Sequence, residues 1–403
     1  MGCQTIEKMA KDGKKEPIVL WKTFPLEYLM LGDDRQPGLE PPELVEGEWA
    51  MRQASTAKRG IMIPIRAYKP GAFPISRRSF LRASFASVVA SAVLPRLARA
   101  ATPAGAAPKV DGALVTLPNK GTLYIANDFH TRHADFVRWL QKTDLVARLK
   151  STDDTYGLVL GDICDKKPLD TEAEDGGDVR MLDKVREIQA GPGGDRLIFI
   201  LGNHEYEAIR IHDAMKKQLG LTPENQARLV RALYNSADGD FFRQWNCMER
   251  ITDEHVAYIK TLPLAVFCPN GLLALHAGPA ISAKTPRDIA QRDAKSEADL
   301  VWRRPIPDYD HAQPEEHAYD SKDVDAFLKL MNSRVMVVGH TPLLSLPEAW
   351  RQDGLARVGE HAVVMAASYG CLPQQKNYLK IDLSTPYASN TDLKVNREII
   401  PNM

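Results

Sequence analysis

Seven short apolar runs, each closing on a polar cluster, limit most sharply what this chain can fold into. They occupy residues 123–126, 157–160, 197–201, 272–275, 335–338, 363–366 and 378–381. Runs of this length, rich in aliphatic and β-branched residues, suit strands buried on both faces. Amphipathic stretches at 134–149 and 178–189 read as helices set between them. Alternation of the two predicts an α/β domain, which would occupy 112–403. Residues from about 206 to 260 are mainly helical in pattern and predict an insertion beside the core.

The first hundred residues read differently. Residues 1–75 mix charge, Pro and Gly with little periodicity, and form an N-terminal extension. Paired Arg77 and Arg78, then Phe80 and Leu81, open a short apolar run that ends near Leu94. Ala98-Arg99-Ala100 follows, with the small residues a signal peptidase reads, so cleavage is expected before Ala101. Residues 76–100 thus resemble a twin-arginine signal, which implies the Tat translocase as partner, a periplasmic destination and no stable membrane anchor after cleavage. Met62 or Met51 is then the expected translation start. Residues 101–111, rich in Ala, Pro and Gly, are a flexible leader.

Bulk properties narrow the function classes. Lys plus Arg and Asp plus Glu are 52 each, so no overall field attracts nucleic acid. Five irregularly spaced cysteines make neither a disulfide framework nor a CxxC zinc site.

The chemistry sits where five apolar runs end. In chain order the endings are Asn127-Asp128-Phe129-His130, Gly161-Asp162-Ile163-Cys164-Asp165, Gly202-Asn203-His204-Glu205, His276-Ala277-Gly278 and Gly339-His340-Thr341. Ligand crevices form at such strand ends in open α/β sheets. Each motif alone is an ordinary turn. Five in one chain, each setting Asp, Asn or His behind a buried run, point to a metal site.

Their order resembles the calcineurin-like metallophosphoesterases, most closely the phosphoprotein phosphatase branch. The segment 300–304 and the run into Gly339-His340-Thr341-Pro342 are similar to its bacterial Shewanella-like members. The resemblance implies a four-layer sandwich of two mixed sheets flanked by helices, and two Mn, Fe or Zn ions. It implies that Asp128 and His130 bind the first metal, that Asp162 bridges, and that Asn203, His276 and His340 complete the second. A metal-bridging hydroxide would then attack phosphorus while His204, oriented by Asp165, protonates the leaving oxygen. Arg304, with Arg303 as the alternative, would grip phosphate oxygens, and Lys166 would add a point charge.

The chain departs from the family pattern at Asn127 and Thr131, where glycines are usual, and at Lys166-Lys167 and Leu201. The expected reaction is hydrolysis of a phosphomonoester, on phosphorylated Ser, Thr or Tyr or on small phosphate esters. Dinucleoside polyphosphate or phosphodiester hydrolysis is the alternative, and a non-catalytic phosphate- or metal-binding protein is a third reading. His133, His212, His255, His311, His317, His361 and Cys164 are expected to be structural or exposed.

Overall fold

The computed structural model describes residues 4–9, 15–20, 106–151, 154–167, 170–219, 243–305, 318–401 and 403. The expected signal at 76–100 and the proposed start sites lie outside the described residues, as do His311 and His317. The chain divides into two units, Met1–Val93 and Leu94–Met403. In the first, β1 (Gln4–Met9) pairs antiparallel with β2 (Lys15–Leu20). Among the described residues no helix is long and apolar enough to cross a membrane.

The second unit is α/β, with two mixed sheets and flanking helices. One sheet runs β17-β16-β5-β6-β7, formed by β5 (Thr122–Ala126), β6 (Thr155–Val159), β7 (Leu197–Phe199), β16 (Asn377–Asp382) and β17 (Ile399–Pro401). Strands β5, β6 and β7 are parallel, so helices must carry the chain back between them. Those helices are α1 (His133–Lys142) with α2 (Leu145–Lys150), then α3 (Gly177–Ala190). The other sheet has eight strands in the order β13-β14-β15-β12-β9-β8-β4-β3, formed by β3 (Lys109–Asp111), β4 (Leu114–Thr116), β8 (Ala265–Phe267), β9 (Leu272–Leu275), β12 (Val335–Val338), β13 (Arg351–Gln352), β14 (Leu355–Val358) and β15 (Ala362–Met365). Its central strands β9, β12 and β15 are parallel, and β10 (Arg304–Pro305) pairs separately with β11 (Ala318–Tyr319). Every residue of β6, β9, β12 and β15 is buried, as runs without polar alternation require.

All seven apolar runs became strands. The helix expected over 134–149 is two helices, because Asp144 turns left-handed at φ +48°. The break lets Phe136 and Trp139 of α1 pack on Phe129, while Leu145 of α2 drops onto β6. Gly157 of β6 makes that approach possible, since a Cβ there would lie 2.6 Å from Leu145 Cδ2. The helical insertion is described in part: α4 (Asn203–Leu219), a 3-10 turn at Arg243–Glu249 and α5 (Asp253–Ile259). It begins at Asn203, earlier than expected, so two candidate site residues open its first helix.

Candidate metal centre

The C-terminal ends of β5, β6 and β7 meet those of β9 and β12. Gly339 N donates to His276 O at 2.8 Å, and His276 Nδ1 donates across the sheets to Leu160 O at 2.6 Å. Asn127 clips a third strand end, donating to Met365 O at 2.8 Å and accepting from Ala367 N at 2.8 Å. A Cβ on Gly161, at φ +95°, would come within 2.6 Å of Gly202, so this crossing needs a bare backbone. Glu205, fully buried, accepts from Asp162 N, Ile163 N, Cys164 N and Gly202 N at 2.8 to 3.2 Å and holds the β6 loop in shape.

The backbone here is strained. Asp128, His130, Thr131, Asp162, Asp165 and His340 all have φ between +41° and +67°. Left-handed non-glycine residues cost about 1–3 kcal/mol each and gather where function holds them. Thr131, standing where glycine is usual, keeps that geometry at φ +64°.

Asp162 divides its carboxylate between two imidazoles. Oδ2 lies 3.4 Å from His130 Nε2, and Oδ1 lies 3.4 Å from His276 Nε2. His130 Nδ1 donates to Cys164 O at 3.1 Å, so on both rings the proton sits on Nδ1 and a lone pair faces the carboxylate. Two buried groups of side chains could each hold an ion: His130, Asp162 and His204, and Asp162, His276 and His340.

Asn203 stands between two imidazoles, and its amide can face them in either orientation. Its amide sits 3.1 Å from His276 Nε2 and 2.8 Å from His340 Nδ1. With oxygen toward the rings, it opposes the His276 lone pair. With nitrogen toward them, it donates to both rings and to Asp162, but His340 must then carry its proton on Nε2. That atom lies 3.0 Å from Arg304 Nε, which is itself a donor. A cation accepts the Asn203 oxygen and both lone pairs together, so the donor set fits a metal.

Titration states agree. Burial first, then Asp162, pushes the Asp128 carboxyl well above the usual range, and burial lifts Asp162 to about 6. Burial lowers His130, His204 and His340 well below their ordinary value, and His276 to about 4. Burial disfavours the charged form of both residue types, which leaves the imidazoles neutral with lone pairs free to act as ligands.

A cavity of about 130 Å³ opens over this centre, lined by Asp128, His130, Asp162, Lys167, Asn203, His204, Arg304, His340, Pro342 and Tyr369. His276 lies behind it, fully buried. Asp128 accepts from His340 N at 3.0 Å and from the Asn127 side chain. His204 Nδ1 bonds Asp165 Oδ2 at 2.8 Å, and Asp165 Oδ1 accepts from Cys247 N at 2.6 Å.

Of the expected cations, Arg304 keeps its place and Lys166 does not. Arg303 is committed elsewhere, with Nε 2.7 Å from Asp299 and Nη1 bonding Ala318 O, so Arg304 is the arginine at the cavity. Lys166 turns outward to Asp175 at 3.5 Å, and Lys167 enters the cavity in its place, its Nζ on His204 Nε2. Tyr369 was not foreseen. Its ring packs edge-on to His130 at 5.1 Å under the Arg132 guanidinium, and no local motif marks it. His133, His212, His255 and His361 lie near carboxylates away from the cavity.

Residues 121–343 match the family model for calcineurin-like phosphoesterase. No curated protein matches the chain. Solved structures that resemble it include a protein serine/threonine phosphatase from Saccharomyces cerevisiae, 16% identical over 68% of this chain and 77% of that one, with a TM-score of 0.43. The cold-active protein-tyrosine phosphatase of Shewanella SP. is 14% identical over 68% and 79%, with a TM-score of 0.43. A metallophosphoesterase from Sphaerobacter thermophilus is 16% identical over 65% and 84%, with a TM-score of 0.35.

Proposed function

The chain belongs to the calcineurin-like phosphoesterases, a family of metal-dependent hydrolases, and from that premise we propose that it cleaves phosphate monoesters. The observation that carries the reading is Asp162, whose two oxygens face separate imidazole groups at 3.4 Å beneath a cavity lined by two cations. Paired positive side chains over a metal centre favour a dianion, which a monoester is and a diester is not.

Asp128, His130, Asp162, Asn203, His276 and His340 would hold the two ions. Bound there, the ions would supply Lewis acidity and a water nucleophile active near neutral pH. Asp165 accepts the Nδ1 proton of His204 and so aims Nε2 into the cavity, toward the leaving oxygen. Alone, His204 is held neutral by burial and by Lys167, and a phosphoryl dianion beside it would favour the protonated form. Once His340 Nδ1 is given to a cation, Nε2 keeps the ring proton and Arg304 turns to another acceptor. A phosphoryl oxygen in the cavity it lines serves that need. Native metals and the leaving group belong to the same proposal, as does export through residues 76–100, which predicts a mature chain starting at Ala101 by N-terminal sequencing.

The test is hydrolysis of an aryl phosphate by the full chain, stripped of metal and then resupplied with manganese, zinc or iron. Turnover restored by metal and lost in His204→Ala is the expected result. Hydrolysis of bis-aryl phosphate or dinucleoside polyphosphate in preference to the monoester would overturn it.

A further inference from the structure

Lys166 and Lys167 are chemically equivalent in the sequence, yet the structure treats them in opposite ways. Lys166 Nζ faces Asp175 on the surface, with side-chain exposures of 42% and 96%, an ion pair worth little. Lys167 Nζ rests on His204 Nε2 inside the cavity, 5.9 Å from the Tyr369 ring centre. Among the described residues it makes no ion pair, although the cavity also holds Asp128 and Asp162. Asp162, Asp165 and Asp128 favour its charged form without touching it, so its donors stay open to an anion that enters the cavity.

Something must choose between the two lysines, and the choice is visible at Asn246. Its Oδ1 accepts from Lys166 N at 3.1 Å, and its Nδ2 donates to Lys166 O at 2.8 Å. One side-chain amide thus pairs both main-chain groups of a single residue, as a neighbouring strand would. Arg250 Nη2 also donates to Asn246 Oδ1 at 3.1 Å while bonding Asp178 at 2.7 Å, which fixes the orientation of the amide. Next to it, Cys247 N holds Asp165 Oδ1 at 2.6 Å. The Lys166 main chain and the Asp165 side chain are thus both held just before Lys167, which sets the register of the loop.

We propose that Lys167 binds the phosphoryl oxygens of the substrate beside His204, and that Asn246 is the positioning residue that turns Lys167 inward and Lys166 outward. The proposal rests on the phosphomonoester reading for its substrate class. Lys167 offers a compact point charge with three donors and shares the cavity lining with the Arg304 fork, so the two bind a tetrahedral anion with different geometries.

The experiment is calorimetric binding of inorganic phosphate to the manganese-loaded full chain, alongside aryl phosphate kinetics. Lys167→Met weakens phosphate about tenfold or more, the scale of one charge-assisted hydrogen bond, while Lys166→Met changes it by less than about twofold. Asn246→Ala weakens phosphate while Lys167 is present and costs under about twofold more in Lys167→Met, because positioning acts only through the lysine. Asn246→Asp, which keeps the acceptor and loses the donor, falls between and serves if Asn246→Ala does not fold. Equal losses from the two lysines, or Asn246 effects that add fully to Lys167→Met, would overturn the proposal. Lysine-dependent phosphate binding without aryl phosphate turnover would leave it standing and remove the monoesterase reading.

Discussion

Two buried charged clusters lie close together in the sequence and follow opposite rules. Around Asp135, every charge has its partner. Lys376 Nζ bonds Asp135 at 2.8 Å and also Glu172, and Arg132 forks onto Asp170 at 2.8 and 3.0 Å and reaches Glu172 at 2.7 Å. Burial opposes the Asp135 charge, yet bonds from Lys376 and Ser368 hold its carboxyl below the usual range. Seven residues earlier, Asp128 is pushed well above that range by burial and Asp162. The first cluster is closed by direct ion pairs, whereas the cations of the second, Lys167 and Arg304, act on Asp128 and Asp162 without pairing with them among the described residues. Burial alone therefore does not mark a site, whereas burial with unmatched charge does.

The largest effect should separate these clusters by activity. Asp162→Asn is expected to cut metal-dependent turnover by about three orders of magnitude, since both ions lose a shared anionic ligand. The metal-stripped variant should melt no lower than the parent, because a costly buried charge has gone. A lower melting temperature would show Asp162 to be structural.

Lys376→Met should do the reverse. It leaves Asp135 buried without its ammonium, and urea denaturation should report a loss of about 3 kcal/mol. Metal content and turnover per folded molecule should stay near parental values, and lost metal would join the two clusters into one.

The third effect is acid release of metal. Asp162 titrates at about 6 in the metal-free chain, above the usual carboxylate, while the four imidazoles are lowered and stay neutral there. Protons therefore compete with metal at the carboxylates, and affinity falls as pH drops through about 6, by about tenfold per unit for one proton. Metal titrations at pH 7, 6 and 5 measure the slope. A fall beginning only below pH 4 would exclude the carboxylates as the competing groups.

The smallest effect concerns strain. Thr131→Gly relieves a β-branched residue at φ +64° and should stabilise the chain by about 0.5–1 kcal/mol in thermal melts, after the extra entropy of the unfolded glycine chain is offset. Destabilisation would mean that the Thr131 side chain packs usefully.

Much of the core was readable because strand burial and strand-end polarity are local patterns. Strands of two or three residues with no longer apolar run around them, such as β17 and Arg304–Pro305, carry too little pattern to be read. The break at Asp144 also escaped, since an amphipathic repeat does not show which of two faces a later strand will cover. Lys167, Tyr369 and the Lys376 network depend on partners up to 241 residues away in the chain.

The seven apolar runs and the ligand-type residues behind them could be read from amino-acid order, because a buried strand and its polar exit are written in consecutive residues. Folding was needed to show that Asp162 turns one oxygen to each imidazole group, that Arg304 rather than Arg303 faces the cavity, and that Lys167 rather than Lys166 enters it. Those choices rest on side-chain direction, which shifts with a single step of backbone register. That register is held by hydrogen bonds from residues that meet only when the chain is folded.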